Sequence, residues 1–279
     1  MPFPPRIARA LTKLLSGDKA SERAKRLHFA DAGHGYDQFG QHPDFVALGD
    51  AIAGPVYDKY FRVDSHGHEN IPTTGAAVLA CNHSGTLPFD GAMVWVDVFR
   101  NTEPPRAPRA VADYFVSSLP VIGTLFARSG VVSGSRGNAQ ALLEAGELLL
   151  IFPEGTPGIG KLYKDRYQLQ KWRQGHCELA IRHQAPVIPI GVVGAEEQMP
   201  QIARIPIPGP VPYLPIPATL FPLPVRYHIY YGEPIHFEDE FDPEDADDPA
   251  VVANAALRVQ AAVDVLLKRG LAERKGVFT

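Results

Sequence analysis

The chain has 279 residues, of which 45% are hydrophobic and 21% charged, and its formal net charge is −4. This length and composition fit one large globular domain with a sizeable core. The two cysteines, Cys81 and Cys177, are too few for a disulfide framework or a zinc site, so two free thiols in a reducing compartment are expected. No run of 18 apolar residues and no signal-peptide pattern occurs, which predicts no transmembrane helix.

Charge is unevenly spread along the chain. Residues 1–30 carry seven basic and two acidic side chains, whereas Tyr227 to Leu257 hold nine acids and no lysine or arginine. A basic N-terminal segment fits an anionic partner, either a membrane surface or a nucleic acid. By charge alone, a solvated disordered tail is an equally good interpretation. We therefore divide the chain into a basic N-terminal arm, residues 1–42, and a single domain, residues 43–279.

Strands and helices alternate along the domain, after a helix over residues 43–61 that Gly54-Pro55 kinks. Short apolar runs predict strands at 61–63, 76–81, 110–112, 130–132, 147–152, 186–193 and 226–231. Helical spacing predicts helices at 91–99, through 122–126, at 138–145, at 175–184, and from Pro249 to a stop at Gly270. This order predicts an α/β fold with a mixed, largely parallel sheet flanked by helices.

Residues 205–225 are unusual because eight prolines alternate there with large apolar side chains. Proline removes a backbone donor, so a regular helix or a central strand is not expected in this segment. It reads either as a buried lid loop or as an apolar loop that dips into lipid.

Polar residues follow the apolar strands at three places. Asn82-His83-Ser84-Gly85 follows the strand at 76–81, and Asp90 opens the next helix. A histidine there can take a proton from an attacking hydroxyl, and a nearby carboxylate can fix its tautomer. By itself, a loop histidine is more often structural.

The two other places are the turn from Phe152 to Thr156 and the segment from Gly130 to Arg136. Glu154 could accept hydrogen bonds from substrate hydroxyls, and Gly155 lets the backbone approach a ligand closely. Arg136 beside a helix N-terminus suits a phosphate. A tight turn and a solvated arginine are the plainer interpretations. The carboxyl ends of parallel strands share one sheet edge, so the three places could form one site.

Taken together in order, these motifs give the chain a family resemblance. It resembles the lysophospholipid and glycerolipid acyltransferases, of the glycerol-3-phosphate and 1-acylglycerol-3-phosphate acyltransferase type. The resemblance covers roughly residues 60–235 and rests on four blocks: Asn82-His83 to Asp90, Gly130 to Arg136, Phe152-Pro153-Glu154-Gly155-Thr156, and Ala185-Pro186-Val187-Ile188-Pro189-Ile190.

The resemblance implies specific roles for these residues. His83 and Asp90 are the expected catalytic pair, and the expected substrate-binding residues are Arg136, Phe152, Pro153, Glu154, Gly155, Thr156 and Lys161. The family spacing is His-x4-Asp, whereas six residues separate His83 from Asp90 here. The arginine that often follows the Glu-Gly-Thr block is replaced by Pro157, so Lys161, Lys164 or Arg166 is expected to supply that charge. A neutral acceptor such as mono- or diacylglycerol therefore stays open.

The implied reaction moves a fatty acyl group from acyl-CoA or acyl carrier protein to a glycerolipid hydroxyl, with His83 as general base. No cofactor and no metal are expected, and the thioester is a co-substrate. The expected partners are the donor, the lipid acceptor and a membrane surface, with no nucleic acid, at the cytoplasmic side of a membrane. The alternatives are a non-catalytic lipid carrier and a serine hydrolase, although no Gly-x-Ser-x-Gly nucleophile elbow occurs.

Overall fold

A computed structural model of the chain describes residues 4–85, 87–117, 119–207 and 213–279. The N-terminal region begins with two helices, α1 (Pro5–Ser16) and α2 (Lys19–Ala24). Both pack against α3 (Pro43–Pro55), which continues through a π-helical turn at Val56–Tyr60. Ala8 and Ala20 are among the α1 and α2 residues buried in these contacts.

The rest of the described chain alternates strands and helices. The strands are β1 (Asp64–His66), β2 (Ala77–Cys81), β3 (Arg109–Ala112), β4 (Val132–Ser133), β5 (Leu148–Ile151), β6 (Val187–Val193), β7 (Gln201–Pro206), β8 (Tyr213–Pro217) and β9 (His228–Tyr231). The helices are α4 (Phe89–Asn101), α5 (Tyr114–Ser117), α6 (Ile122–Ser129), α7 (Arg136–Glu144), α8 (Thr156–Ile159), α9 (Gly175–Arg182) and α10 (Pro249–Glu273).

Seven strands form one sheet in the order β1-β9-β6-β2-β5-β3-β4. All neighbouring pairs are parallel except β6 and β9, so the sheet is mixed and largely parallel, as expected. Short β1 lies three residues beyond the strand predicted at 61–63, because the π-helical turn extends to Tyr60. The carboxyl ends of β2, β5, β3 and β4 share one edge of the sheet.

Both faces of the sheet are covered, which explains why β2 and β6 are continuous apolar runs. Along β2, Val78 and Ala80 face the cluster that includes α7, α9 and α10, whereas Leu79 and Cys81 face α4. Every residue of β2 and β6 is buried. The strand ends are therefore held rigidly from both sides.

Helix α10 has the length and apolar composition of a membrane-spanning helix, but its apolar side packs on the sheet. The predicted stop at Gly270 is wrong, because α10 continues to Glu273. A methyl group built on Gly270 would lie 2.7 Å from the Tyr230 ring and 2.9 Å from Val193. This glycine is needed for close packing of the helix on the sheet.

The proline-rich segment contributes β8 and the last residues of β7, which pair antiparallel as a separate hairpin outside the main sheet. The sequence excluded a central strand there, and this expectation is confirmed. Several of the large apolar side chains of this region are exposed, namely Ile202, Ile205, Leu214, Leu220 and Phe221. Residues 208–212, between β7 and β8 in the sequence, lie outside the described residues.

Candidate active site

The end of β2 is fixed to β6 by an asparagine side chain. The Asn82 amide nitrogen donates to the Val192 carbonyl at 3.1 Å, and the Val192 N–H donates to Asn82 Oδ1 at 2.8 Å. Asn82 is fully buried, so its side chain extends the strand pairing where the backbone turns away. The next residue, His83, consequently leaves the sheet in a defined direction.

His83 and Asp90 are in direct contact despite their long spacing. His83 Nδ1 lies 2.7 Å from Asp90 Oδ2, which also accepts the Ser84 N–H at 2.9 Å. The loop between them turns at Gly85, where φ is +83°, and α4 begins one residue before Asp90. Because ionised Asp90 can only accept, it favours a proton on His83 Nδ1 and leaves Nε2 free to accept one.

Asp90 is fully buried, whereas 19% of the His83 side chain is exposed. Asp90 Oδ1 accepts the Gly91 N–H at 2.7 Å, so both carboxylate oxygens are engaged. A buried carboxylate that is fully hydrogen-bonded holds the imidazole firmly and would stabilise its protonated form.

The Glu154 carboxylate binds the backbone of His83. It is buried, and its oxygens accept the His83 N–H at 2.9 Å and the Gln170 N–H at 2.8 Å. Lys161 Nζ lies 3.3 Å from Glu154 and 2.8 Å from Glu196. Burial raises the pKa of Glu196, and Lys161 opposes this rise. Glu154 and Lys161, which the family resemblance assigns to substrate, thus contact each other inside the protein.

The rest of the turn after β5 encloses the histidine. The His83 and Phe152 rings lie 4.4 Å apart at an angle of 32°. The Thr156 carbonyl accepts a hydrogen bond from the Tyr213 hydroxyl at 2.7 Å, which joins the β7–β8 hairpin to the turn. A methyl group on Gly158 would lie 2.7 Å from Glu154 Cβ and 3.0 Å from His83 Cβ, so α8 packs directly over the pair.

Several backbone amides around His83 are already used within the protein. The His83 N–H donates to Glu154, the Ser84 N–H donates to Asp90, and the Gly155 N–H donates to the Phe152 carbonyl at 3.0 Å. These three amides are therefore committed to holding the loop. An oxyanion would need other donors at this edge of the sheet.

Arg136 lies at the far side of the same edge. It begins α7, whose N-terminus is capped by Ser135, and 64% of its side chain is exposed. Its guanidinium pairs with Glu178 at 2.6 Å. Strand β4 is the third neighbour of β2 in the sheet, which corresponds to about 14 Å at ~4.8 Å per strand. The described structure therefore does not bring Arg136 into contact with His83.

The segment before α9 contributes residues that the sequence did not indicate. The Gln170 N–H donates to Glu154, and the Arg173 N–H donates to the Pro153 carbonyl at 2.9 Å. Glu196 follows β6 and pairs with Lys161. No motif marks Gln170, Arg173 or Glu196, because each is placed by contacts with residues far away in the sequence.

Both cysteines are buried, and burial raises the pKa of the thiols of Cys81 and Cys177. A thiol with a raised pKa is a poor nucleophile at neutral pH. The geometry thus favours His83 as the reactive group at the end of β2.

Comparison with known proteins identifies the same region. The family model described as Acyltransferase matches residues 62–193, which extend from just before β1 to the end of β6. An uncharacterized protein of Mycobacterium tuberculosis is 38% identical over 258 residues, which cover 87% of this chain and 71% of that protein. A crystal structure of the 1-acyl-sn-glycerophosphate acyltransferase PlsC from Thermotoga maritima superposes with a TM-score of 0.60 at 15% identity. That match covers 98% of this chain and 100% of the crystal structure chain.

Residues 62–193 thus form an Acyltransferase family domain, and the chain has a fold similar to that of PlsC. A Gallus gallus relative named "DGAT1/2-independent enzyme synthesizing storage lipids" is 27% identical over 228 residues, covering 79% of this chain and 65% of that protein. The structural match to PlsC confirms the expected fold, and the family match supports an acyltransferase.

Proposed function

We propose that this acyltransferase moves a fatty acyl group from a thioester, acyl-CoA or acyl carrier protein, to a hydroxyl of a glycerolipid. The observation that carries the proposal is the His83–Asp90 contact of 2.7 Å at the end of a buried strand. The second nitrogen of the partly exposed imidazole has no hydrogen-bond partner among the described residues, as a general base requires.

In the proposed reaction, His83 Nε2 takes the proton from the acceptor hydroxyl as the oxygen attacks the thioester carbonyl. The tetrahedral intermediate collapses, the carbon–sulfur bond breaks, and the thiolate leaves with the proton from His83. Asp90 holds the imidazole and stabilises its positive charge between these two steps. No covalent acyl-enzyme is needed, which agrees with the buried cysteines.

The test is acyl transfer by a His83→Ala variant, with labelled acyl-CoA and a panel of acceptors. We expect turnover to fall by roughly 10²- to 10⁴-fold, because a positioned general base is removed. His236→Ala is the matched control, since that histidine is half exposed and contacts Glu238. Near-normal turnover by a folded His83→Ala variant would exclude His83 as the base. Lipid binding without transfer by the wild type would favour a carrier.

A 1-acylglycerol-3-phosphate is the first candidate acceptor, because the structurally similar PlsC is a 1-acyl-sn-glycerophosphate acyltransferase. A neutral acceptor is the second candidate. Pro157 stands in place of the usual arginine, and the Gallus gallus relative is named for the synthesis of storage lipids. A direct comparison of 1-acylglycerol-3-phosphate and monoacylglycerol with the same acyl chain distinguishes the two.

The proposal includes peripheral contact with the cytoplasmic side of a membrane, where the lipid acceptor lies. Helix α1 buries Ala8 on one side. Beside its basic residues it exposes four apolar side chains, namely Ile7, Leu11, Leu14 and Leu15. An apolar row flanked by basic residues suits an anionic lipid surface. Sedimentation with anionic vesicles tests this, and equal binding of wild type and Leu14→Glu/Leu15→Glu would remove α1 from the proposal.

A further inference from the structure

Two of the cations that the sequence assigned to substrate, Lys161 and Arg136, already have carboxylate partners. Lys161 is buried between Glu154 and Glu196, at 3.3 and 2.8 Å. Arg136 pairs with Glu178 at 2.6 Å and lies at the outer strand. A phosphate on either cation would have to compete with a carboxylate that is already in place. A cation near the Phe152–Thr156 turn that has no carboxylate partner would bind a substrate phosphate more readily.

Arg173 lies beside this turn and has no ion-pair partner among the described residues. A methyl group built on Gly155 would lie 3.2 Å from Arg173 Cζ and 3.4 Å from Nε, so the guanidinium packs on the bare face of that glycine. The Arg173 side chain is exposed, and it makes no ion pair or hydrogen bond with any residue in the described ranges. Its charge is thus available beside the turn that encloses His83.

The segment carrying Arg173 is anchored on both sides of it. The Arg173 N–H donates to the Pro153 carbonyl at 2.9 Å, and its carbonyl accepts a hydrogen bond from His176 Nδ1 at 2.9 Å. Three residues earlier, the Gln170 N–H binds the Glu154 oxygen at 2.8 Å. Glu154 also binds the His83 N–H. The backbone of Arg173 is therefore held in a fixed relation to the His83 loop, while its side chain is free to bind.

The positive φ of +56° at Gly155 and the absence of a side chain explain why the guanidinium can lie so close to the turn. An alanine would be strained at this φ, and its methyl group would crowd Arg173. A glycine at position 155 thus leaves the space that the Arg173 guanidinium occupies, although the two residues are 18 positions apart in sequence.

We propose that Arg173 is the phosphate-binding residue of this acyl-transfer site. A guanidinium presents a planar set of donors that match a phosphate in two parallel hydrogen bonds. The phosphate belongs either to the glycerolipid acceptor or to the coenzyme of the donor. This inference rests on the proposed function and assigns it a residue that no motif marks.

The kinetic test compares wild type, Arg173→Gln and Arg173→Lys with substrates that differ in phosphate alone. The acceptors are 1-acylglycerol-3-phosphate and monoacylglycerol with the same acyl chain, and the donors are acyl-CoA and acyl-pantetheine, which lacks phosphate. Lys59→Gln is the control, because this exposed lysine of the π-helical turn also lacks an ion pair with any described residue.

We expect Arg173→Gln to lower kcat/KM by about 10- to 100-fold for the substrate whose phosphate it binds, as expected for a lost charge-assisted hydrogen bond. A loss that disappears with monoacylglycerol assigns the acceptor phosphate, and a loss that disappears with acyl-pantetheine assigns the donor. Arg173→Lys should recover part of the activity. An equal loss with every substrate pair, or a change below twofold throughout, would overturn the proposal.

A binding measurement separates this inference from the proposed function. Titration calorimetry of wild type and Arg173→Gln uses coenzyme A and a short-chain 1-acylglycerol-3-phosphate below its micellar concentration. We expect Kd for one of the two to rise at least tenfold in the variant, whether or not transfer is detected. Unchanged Kd values, or no binding of either ligand to the wild type, would contradict the role of Arg173.

Discussion

Two neighbouring regions at the carboxyl edge of the sheet differ in whether their charged side chains are buried and paired or exposed. Around His83, the carboxylates of Asp90 and Glu154 are buried, and their oxygens bind backbone N–H groups and cationic or imidazole partners. In residues 170–176, the backbone is anchored equally well, but the Arg173 side chain remains exposed and has no partner among the described residues.

We relate this difference to two requirements of a transferase site, a general base and an anion-binding residue. The general base needs a fixed tautomer and a fixed position, so its surroundings must be preorganised and closed. An anion-binding residue must exchange water for substrate in each turnover, so its charge has to stay accessible. Buried pairs such as Lys161–Glu154 hold the first region together and are unsuited to the second task.

The largest effect is expected from Asp90→Asn. The asparagine amide can donate to His83 Nδ1, which moves the imidazole proton to Nε2 and abolishes the base. We expect kcat/KM to fall by about 10²- to 10⁴-fold in acyl-transfer assays. Asp239→Asn is the control, because Asp239 is exposed. If Asp90→Asn keeps more than a tenth of the wild-type kcat/KM, the Asp90 carboxylate is not required for His83 to act as a base.

A second prediction concerns the buried ion pair between Glu154 and Lys161. Glu154→Gln should lower the free energy of unfolding by roughly 3 kcal/mol, because Lys161 loses one of its two carboxylates while it stays buried. The double variant with Lys161→Met should be less unstable than the sum of the two single changes. Urea denaturation of all four proteins gives the coupling energy. Additivity within about 0.5 kcal/mol would mean that the two residues do not act together.

Residues 170–176 should make the free energy of unfolding depend on pH, because they include the buried His176. Burial of His176, opposed by its hydrogen bond to the Arg173 carbonyl, lowers its pKa to about 4. The unfolded chain therefore takes up this proton first, and stability is lost as the pH falls from about 6.5 towards 4. We expect a loss of about 2 to 3 kcal/mol between pH 7.5 and 4.5 from this residue.

The measurement is urea denaturation at both pH values for wild type, His176→Gln and the control His34→Gln, whose histidine is exposed. His176→Gln should reduce the difference between the two pH values, because glutamine does not titrate. An unchanged difference would place the acid sensitivity elsewhere in the molecule.

The smallest effect is expected from Arg136→Gln. Arg136 is exposed and already paired with Glu178, so its removal should change stability by less than about 1 kcal/mol. We expect kcat/KM for a phosphorylated acceptor to change by less than about threefold. A selective loss of more than tenfold for that acceptor would move the anion-binding role from Arg173 to the β4 edge.

Much of the fold was predictable because strands and helices alternate with clear periods. The apolar runs at 76–81 and 186–193 are β2 and β6, and the parallel order follows from the helices between the strands. The end of α10 was mispredicted because a glycine usually ends a helix. Gly270 instead lies inside α10, since only a glycine allows the helix to approach Tyr230 and Val193 so closely.

The sequence by itself indicated His83, Asp90 and the block around Glu154 as the candidate site, because these residues follow apolar strands that end at one edge. Only the tertiary structure decided that Asp90 reaches His83 across the longer loop and that Glu154 binds the His83 backbone, 71 residues away in sequence. It also separated Arg136 from the site and placed Arg173 on Gly155. The physical reason is that local patterns specify strands and turns, whereas strand order and loop paths decide which distant side chains meet.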